Sequence, residues 1–120
     1  MTKPPNQVPS DKMDLYKLLL ETRPDIQLKG ARVPYTSLNG HMFTFISESG
    51  VLGIRLPKAE REAFLREHNT TLYEAHGTVL KEYVIVPDEL LKNTQQLRRY
   101  LDLSYEYVGA LKPKPQKRRA

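Results

Sequence analysis

The chain contains no cysteine. Disulfides, thiolate zinc sites and a cysteine nucleophile are therefore excluded, and the composition fits a reducing cytoplasm, which is the expected location. No apolar run approaches the roughly 20 residues of a membrane-spanning helix, so no membrane association is expected. The opening residues MTKPPNQVPS have no apolar stretch of the kind a secretory signal needs. No glycine-rich loop opens a helix after a strand, which argues against a phosphate cradle. Ser47 and Ser49 lie in a turn without a nucleophile-elbow pattern. Histidine is scarce. His41, His68 and His76 have no ligand spacing and read as solvated or locally bonded side chains. Glu48, Glu74 and Glu82 read as exposed acids, since nothing in the sequence brings two of them together. No catalytic residue, cofactor or metal site is expected, and the chain reads as non-enzymatic.

Charge of one sign is also missing from most of the chain. The net charge is +5, from 19 basic and 14 acidic side chains. Five of the basic residues, Lys112, Lys114, Lys117, Arg118 and Arg119, lie beyond Leu111, leaving 14 against 14 before it. The basicity belongs to the tail. A dedicated nucleic-acid binder would carry it across a folded face.

What is present is enough for one core: 120 residues, 39% hydrophobic and 28% charged. The stretch Tyr35 to Pro57 organises the rest. Asn39-Gly40 is a type I′ hairpin signal, with positive φ expected at both residues. Met42 to Ser47 reads as a strand with Phe43 and Phe45 on one face and Met42, Thr44 and Ile46 on the other. Ser49-Gly50 breaks the run, and Val51 to Leu56 returns as its antiparallel neighbour, with Leu52, Ile54 and Leu56 on one face.

Before this hairpin, residues 1–10 read as a flexible, proline-bearing arm. A helix over Asp11 to Glu21 carries a stripe of Met13, Tyr16, Leu19 and Leu20, leaving Lys12 and Lys17 in water. Ile26 to Pro34 alternates weakly and reads as an edge strand. After the hairpin, Pro57 opens a helix to about His68 with Ala59, Ala63 and Phe64 inward. Leu72 to Ala75 is a short strand. Val79 to Val86 is a stronger one, apolar on both faces and so expected to be covered on both. Asp88 to Lys92 forms a helical turn. Asn93 caps the last helix with Gln96 three residues on. That helix carries Leu97, Leu101, Ser104, Val108 and Leu111, with Arg98 and Asp102 paired on its wet side. Phe43, Phe45, Leu52, Ile54, Tyr83 and Ile85 are expected on one sheet face beneath this helix.

Asn39 to Phe43 (NGHMF), Gly53 to Pro57 (GIRLP), the helix through Phe64 and Lys81 to Leu91 (KEYVIVPDELL) together resemble the N-terminal domain of TfoX/Sxy proteins. The final helix fits the same pattern, and the likeness covers about residues 11–111. It implies an α+β fold: a single compact domain in which helices pack an antiparallel β-sheet. Residues 112–120 form a basic tail, expected to be disordered. Two departures stand out. Relatives carry a Met-Phe-Gly stretch shortly before the hairpin turn, where this chain reads Gly30-Ala31-Arg32. Full-length competence regulators also carry a C-terminal domain. This chain ends nine residues after Leu111 and reads as a stand-alone N-terminal-type domain, so their transcriptional role and cyclic-AMP receptor partner are not carried over.

The resemblance implies a regulatory, protein-interaction role with an unidentified protein partner, as monomer or homodimer. Of the seven tyrosines, Tyr105 falls off the apolar stripe of the last helix and is the candidate partner-surface residue. The alternative is weak, non-specific nucleic-acid binding, with Lys112, Lys114, Lys117, Arg118 and Arg119 as candidate phosphate contacts.

Overall fold

A computed structural model describes residues 8–30 and 33–113. Nine elements follow in the order α1 (Ser10–Glu21), β1 (Tyr35–Leu38), β2 (His41–Ile46), β3 (Leu52–Arg55), α2 (Lys58–Glu67), β4 (Leu72–Ala75), β5 (Thr78–Ile85), α3 (Asp88–Leu91) and α4 (Thr94–Ala110). The strands form one antiparallel sheet in the order β1-β2-β3-β5-β4. Residues from all four helices share a core with Ile46, Leu52, Ile54 and Val84, so the fold is a two-layer α+β domain with the helices on one face.

Local chemistry explains most element boundaries. Asn39 and Gly40 take φ of 55° and 81°, as the hairpin twist requires. His76 and Gly77 turn β4 into β5 in the same way, at 53° and 78°. In α1 the buried side chains are Met13, Tyr16, Leu19 and Leu20, the expected stripe. The Asn93 side chain accepts from the Gln96 amide at 3.2 Å, while its Nδ2 donates to the Gln96 Oε1 at 3.2 Å. The first bond satisfies a free amide at the start of α4, and the second, between side chains, holds the cap in place.

The sheet departs from simple alternation at Phe43. Thr36 faces Thr44, but the next residue, Ser37, faces Met42, leaving Phe43 as an extra residue in β2. A bulge of this kind turns consecutive side chains toward the same side. Phe43 therefore joins Thr44 and Ile46 beneath the helices, its ring edge-on to Tyr105 of α4 at 5.8 Å. Phe45 points the other way, against Tyr73 and Tyr83. The expected single face is thus two: Phe43, Leu52 and Ile54 belong to the core, while Phe45, Tyr83 and Ile85 lie on the face without helices.

Other expectations shift for similar reasons. No strand forms among the described residues of 26–34. Gly30 at φ 87° folds the segment back, and only Lys29 bridges to Tyr35. Ala59 is exposed and Phe64 alone is buried from α2, because this helix meets the sheet chiefly at β5. Lys12 is not left in water. It spans to Asp88 at 2.9 Å, and its stem lies against Gly50. Asp102 meets Arg98 at 3.6 Å but is held more closely by Arg23, at 2.6 Å. Val84 of β5 and Val86 just beyond it are buried while Tyr83 and Ile85 are half-buried, so the strand is covered fully on one side only. The packed unit also begins earlier than residue 11, since Val8 is buried and Ser10 is already helical.

Two substitutions test this frame. Phe43→Ala removes a side chain with no exposed surface and is expected to cost about 3–5 kcal/mol. Gly40→Val forces a β-branched residue into the left-handed region and is expected to cost at least about 1–2 kcal/mol. Chemical denaturation measures both. An unchanged midpoint for either would contradict the buried bulge or the turn.

Candidate functional site

Among the described residues, the face without helices carries a cleft in which apolar and polar side chains meet, and a hollow beside the end of α1 is lined by Lys17, Leu20, Glu21, Pro24, Ile26 and Leu28. Gly53 in β3 lies between Phe45 and Ile85 in the ladder. With no side chain there, the Tyr73 ring settles over the strand, and its hydroxyl donates to the Val51 carbonyl at 2.8 Å. Phe45 and Tyr73 pack at 4.6 Å between ring centres, and Tyr83 meets Phe45 at 5.6 Å. Burial pushes the Tyr73 hydroxyl above the usual tyrosine range.

A second irregularity shapes what lies beside these rings. Leu72 faces Val84, yet Tyr73 faces Leu80, so three residues of β5 bulge out between the two pairs. The displaced end of the β4–β5 hairpin comes to lie beside the β2–β3 turn. Between them is a cleft of about 490 Å³. Val33, Phe45, Tyr73 and Ala75 provide its apolar lining, while Ser47, Glu48, Ser49 and His76 provide its polar rim. It continues into a smaller hollow that adds Glu74 and Val51. The serine hydroxyls bond to each other at 3.0 Å, and Ser47 accepts from the Val51 amide at 3.2 Å. These are the dimensions and lining of a small-molecule pocket.

Ser47, Ser49, Glu48, Glu74 and His76 therefore gather around one cleft. Glu82 is elsewhere. Burial works against its ionisation, but hydrogen bonds from Arg55 Nε at 2.7 Å and the Tyr107 hydroxyl at 2.9 Å outweigh it and hold the carboxyl below its ordinary range. Arg55 also lies over the Tyr107 ring at 5.6 Å, so this trio ties α4 to β3 and β5. His68 shares its Nε2 with the Tyr100 hydroxyl at 3.1 Å and packs on Phe64. His41 Nε2 meets the Lys112 carbonyl at 2.8 Å.

Tyr105 is half-buried rather than presented outward. Its ring takes Phe43 on one side and the Arg23 guanidinium at 4.6 Å on another. Lys112 is exposed where α4 has ended, its carbonyl anchored to His41. Lys114, Lys117, Arg118 and Arg119 lie outside the described residues. The cleft itself was not foreseen. One signal pointed to it: a glycine inside a strand marks close approach by another group.

No family model, curated protein or solved structure matches the chain.

A Cβ at Gly53 would stand 2.7 Å from Tyr73 Cδ2 and 3.1 Å from Phe45 Cε1. Gly53→Ala is therefore expected to displace Tyr73 and cost about 1–3 kcal/mol. Loss of near-ultraviolet tyrosine dichroism alongside the lower midpoint checks it. Glu82 makes a second prediction. Its folded pKa lies below the unfolded value of about 4.3, so its stabilisation is present above that pH and is lost as pH falls toward the folded value. Glu82→Gln should flatten this part of the acid branch of a stability–pH curve. An acid branch of unchanged steepness would show that the trio contributes nothing.

Proposed function

We propose that this is a non-enzymatic regulatory domain of the TfoX/Sxy N-terminal type, acting by presenting a surface to another protein. The observation that carries the reading is where the resembling residues stand. Asn39 to Phe43 makes the β1–β2 turn and the bulge, Gly53 to Pro57 runs from β3 to the start of α2, and Lys81 to Leu91 runs from β5 through α3. The likeness thus falls on the joints of the fold rather than on interchangeable surface. The perturbed carboxylates and cations support a role without chemistry, since each is occupied by a structural partner: Arg23 by Asp25 and Asp102, and Glu82 by Arg55 and Tyr107. Such a domain works in the cytoplasm.

A second reading, weak binding of nucleic acid through the tail, is favoured by the placement of charge: a balanced body and five cations at one end. Five phosphate contacts limit the log–log salt slope to about −4.5 on duplex DNA. Affinity capture from native cells, using the full chain and a chain ending at Leu111, separates the readings. A protein partner retained by both chains after nuclease treatment is the expected result. Capture lost on nuclease treatment, with DNA binding confined to the full chain, would replace the first reading by the second. No retained partner in any arm overturns the first.

A further inference from the structure

We infer that the cleft between the β2–β3 turn and the β4–β5 hairpin binds a small organic cation, an ammonium group carrying one aromatic or branched alkyl body. This goes beyond the interaction role and stands independently of it. The volume, about 490 Å³ with a further 290 Å³ in the adjoining hollow, suits a small molecule. The floor is apolar and aromatic: Phe45 and Tyr73 in contact, flanked by Val33 and Ala75. An apolar floor of this kind accepts the hydrocarbon body of the ligand.

The rim settles the sign of the charge. Glu48 lines the cleft and Glu74 the adjoining hollow, and no lysine or arginine lines either among the described residues. Neither glutamate has an ion-pair partner among the described residues. The Ser47 and Ser49 hydroxyls add acceptors for an N–H donor. An anion in either hollow would meet a carboxylate and, among the described residues, no cation lining it. A neutral ligand would leave the acids unused.

The test uses the full chain at about pH 8. Three probes of similar shape are titrated and followed by amide NMR shifts: phenethylammonium, 2-phenylethanol and phenylacetate. Phenethylammonium should bind about five- to tenfold more tightly than the alcohol, as two screened carboxylates allow. The shifts should concentrate at Phe45, Ser49, Tyr73, Ala75 and His76. The double variant Glu48→Gln with Glu74→Gln, both exposed and safe for folding, should reduce the amine to the affinity of the alcohol. Equal affinities for amine and alcohol would overturn the inference. So would tighter binding of phenylacetate, the result of a basic side chain reaching the cleft from outside the described residues. A double variant that still prefers the amine, or shifts centred on Leu20 and Ile26 at the separate hollow beside the end of α1, overturns it as well.

Discussion

A one-residue slip in the pairing of β1 with β2 decides how the layers meet. Because Phe43 is the extra residue, β2 turns Phe43, Thr44 and Ile46 toward the helices yet keeps Phe45 for the opposite face. Without the slip, Phe43 and Phe45 would share a side. Either α4 would lose the ring against which Tyr105 packs, or the outer face would lose the centre of its three-ring cluster. The Ser104 hydroxyl marks the junction by donating to the Phe43 carbonyl at 3.4 Å. A bulge thus lets a single strand supply an aromatic anchor to each side of the sheet.

The same strand carries the polar contact that orients α1. Tyr16 is fully buried, its hydroxyl 2.7 Å from Thr44 Oγ1, which in turn lies 2.6 Å from Thr36 Oγ1. Burial pushes the tyrosine hydroxyl well above its usual range, and the threonine hydroxyls offset only part of this. The group stays neutral and acts as a directional bond inside an apolar layer, where leaving it unmade would cost about 1–3 kcal/mol. The apolar stripe of α1 fixes which side faces the core. The Tyr16 bond fixes where along β2 the helix sits.

What was legible in the sequence was what short stretches decide for themselves. The four-residue stripe of α1, the Asn39-Gly40 turn, the Asn93–Gln96 cap and the antiparallel β2–β3 pair all rest on neighbours within a few residues. Strand faces failed where alternation crosses a register change, at Phe43, and the change between Leu72 and Tyr73 was equally unannounced. No local pattern marks either, because each is set by which partner strand arrives and how it twists. The cleft was hard to read for the same reason: Val33, Ser47 and the Tyr73–His76 hairpin come from three separated segments. Tyr105 looked unemployed on a helical wheel because Phe43 and Arg23, which occupy it, come from outside α4.

The two register changes also bear on how the sheet ends. Its edges are β1 and β4, each only four residues long and each interrupted by an irregular step against its neighbour. Lys29 already exchanges backbone hydrogen bonds with Tyr35 at the start of β1, at 2.8 and 2.9 Å. Neither border offers the long, flat row of free amides and carbonyls on which chains stack strand to strand into fibrils. The kinks that give the outer face its shape therefore also act as a safeguard against runaway edge-to-edge assembly in a crowded solution.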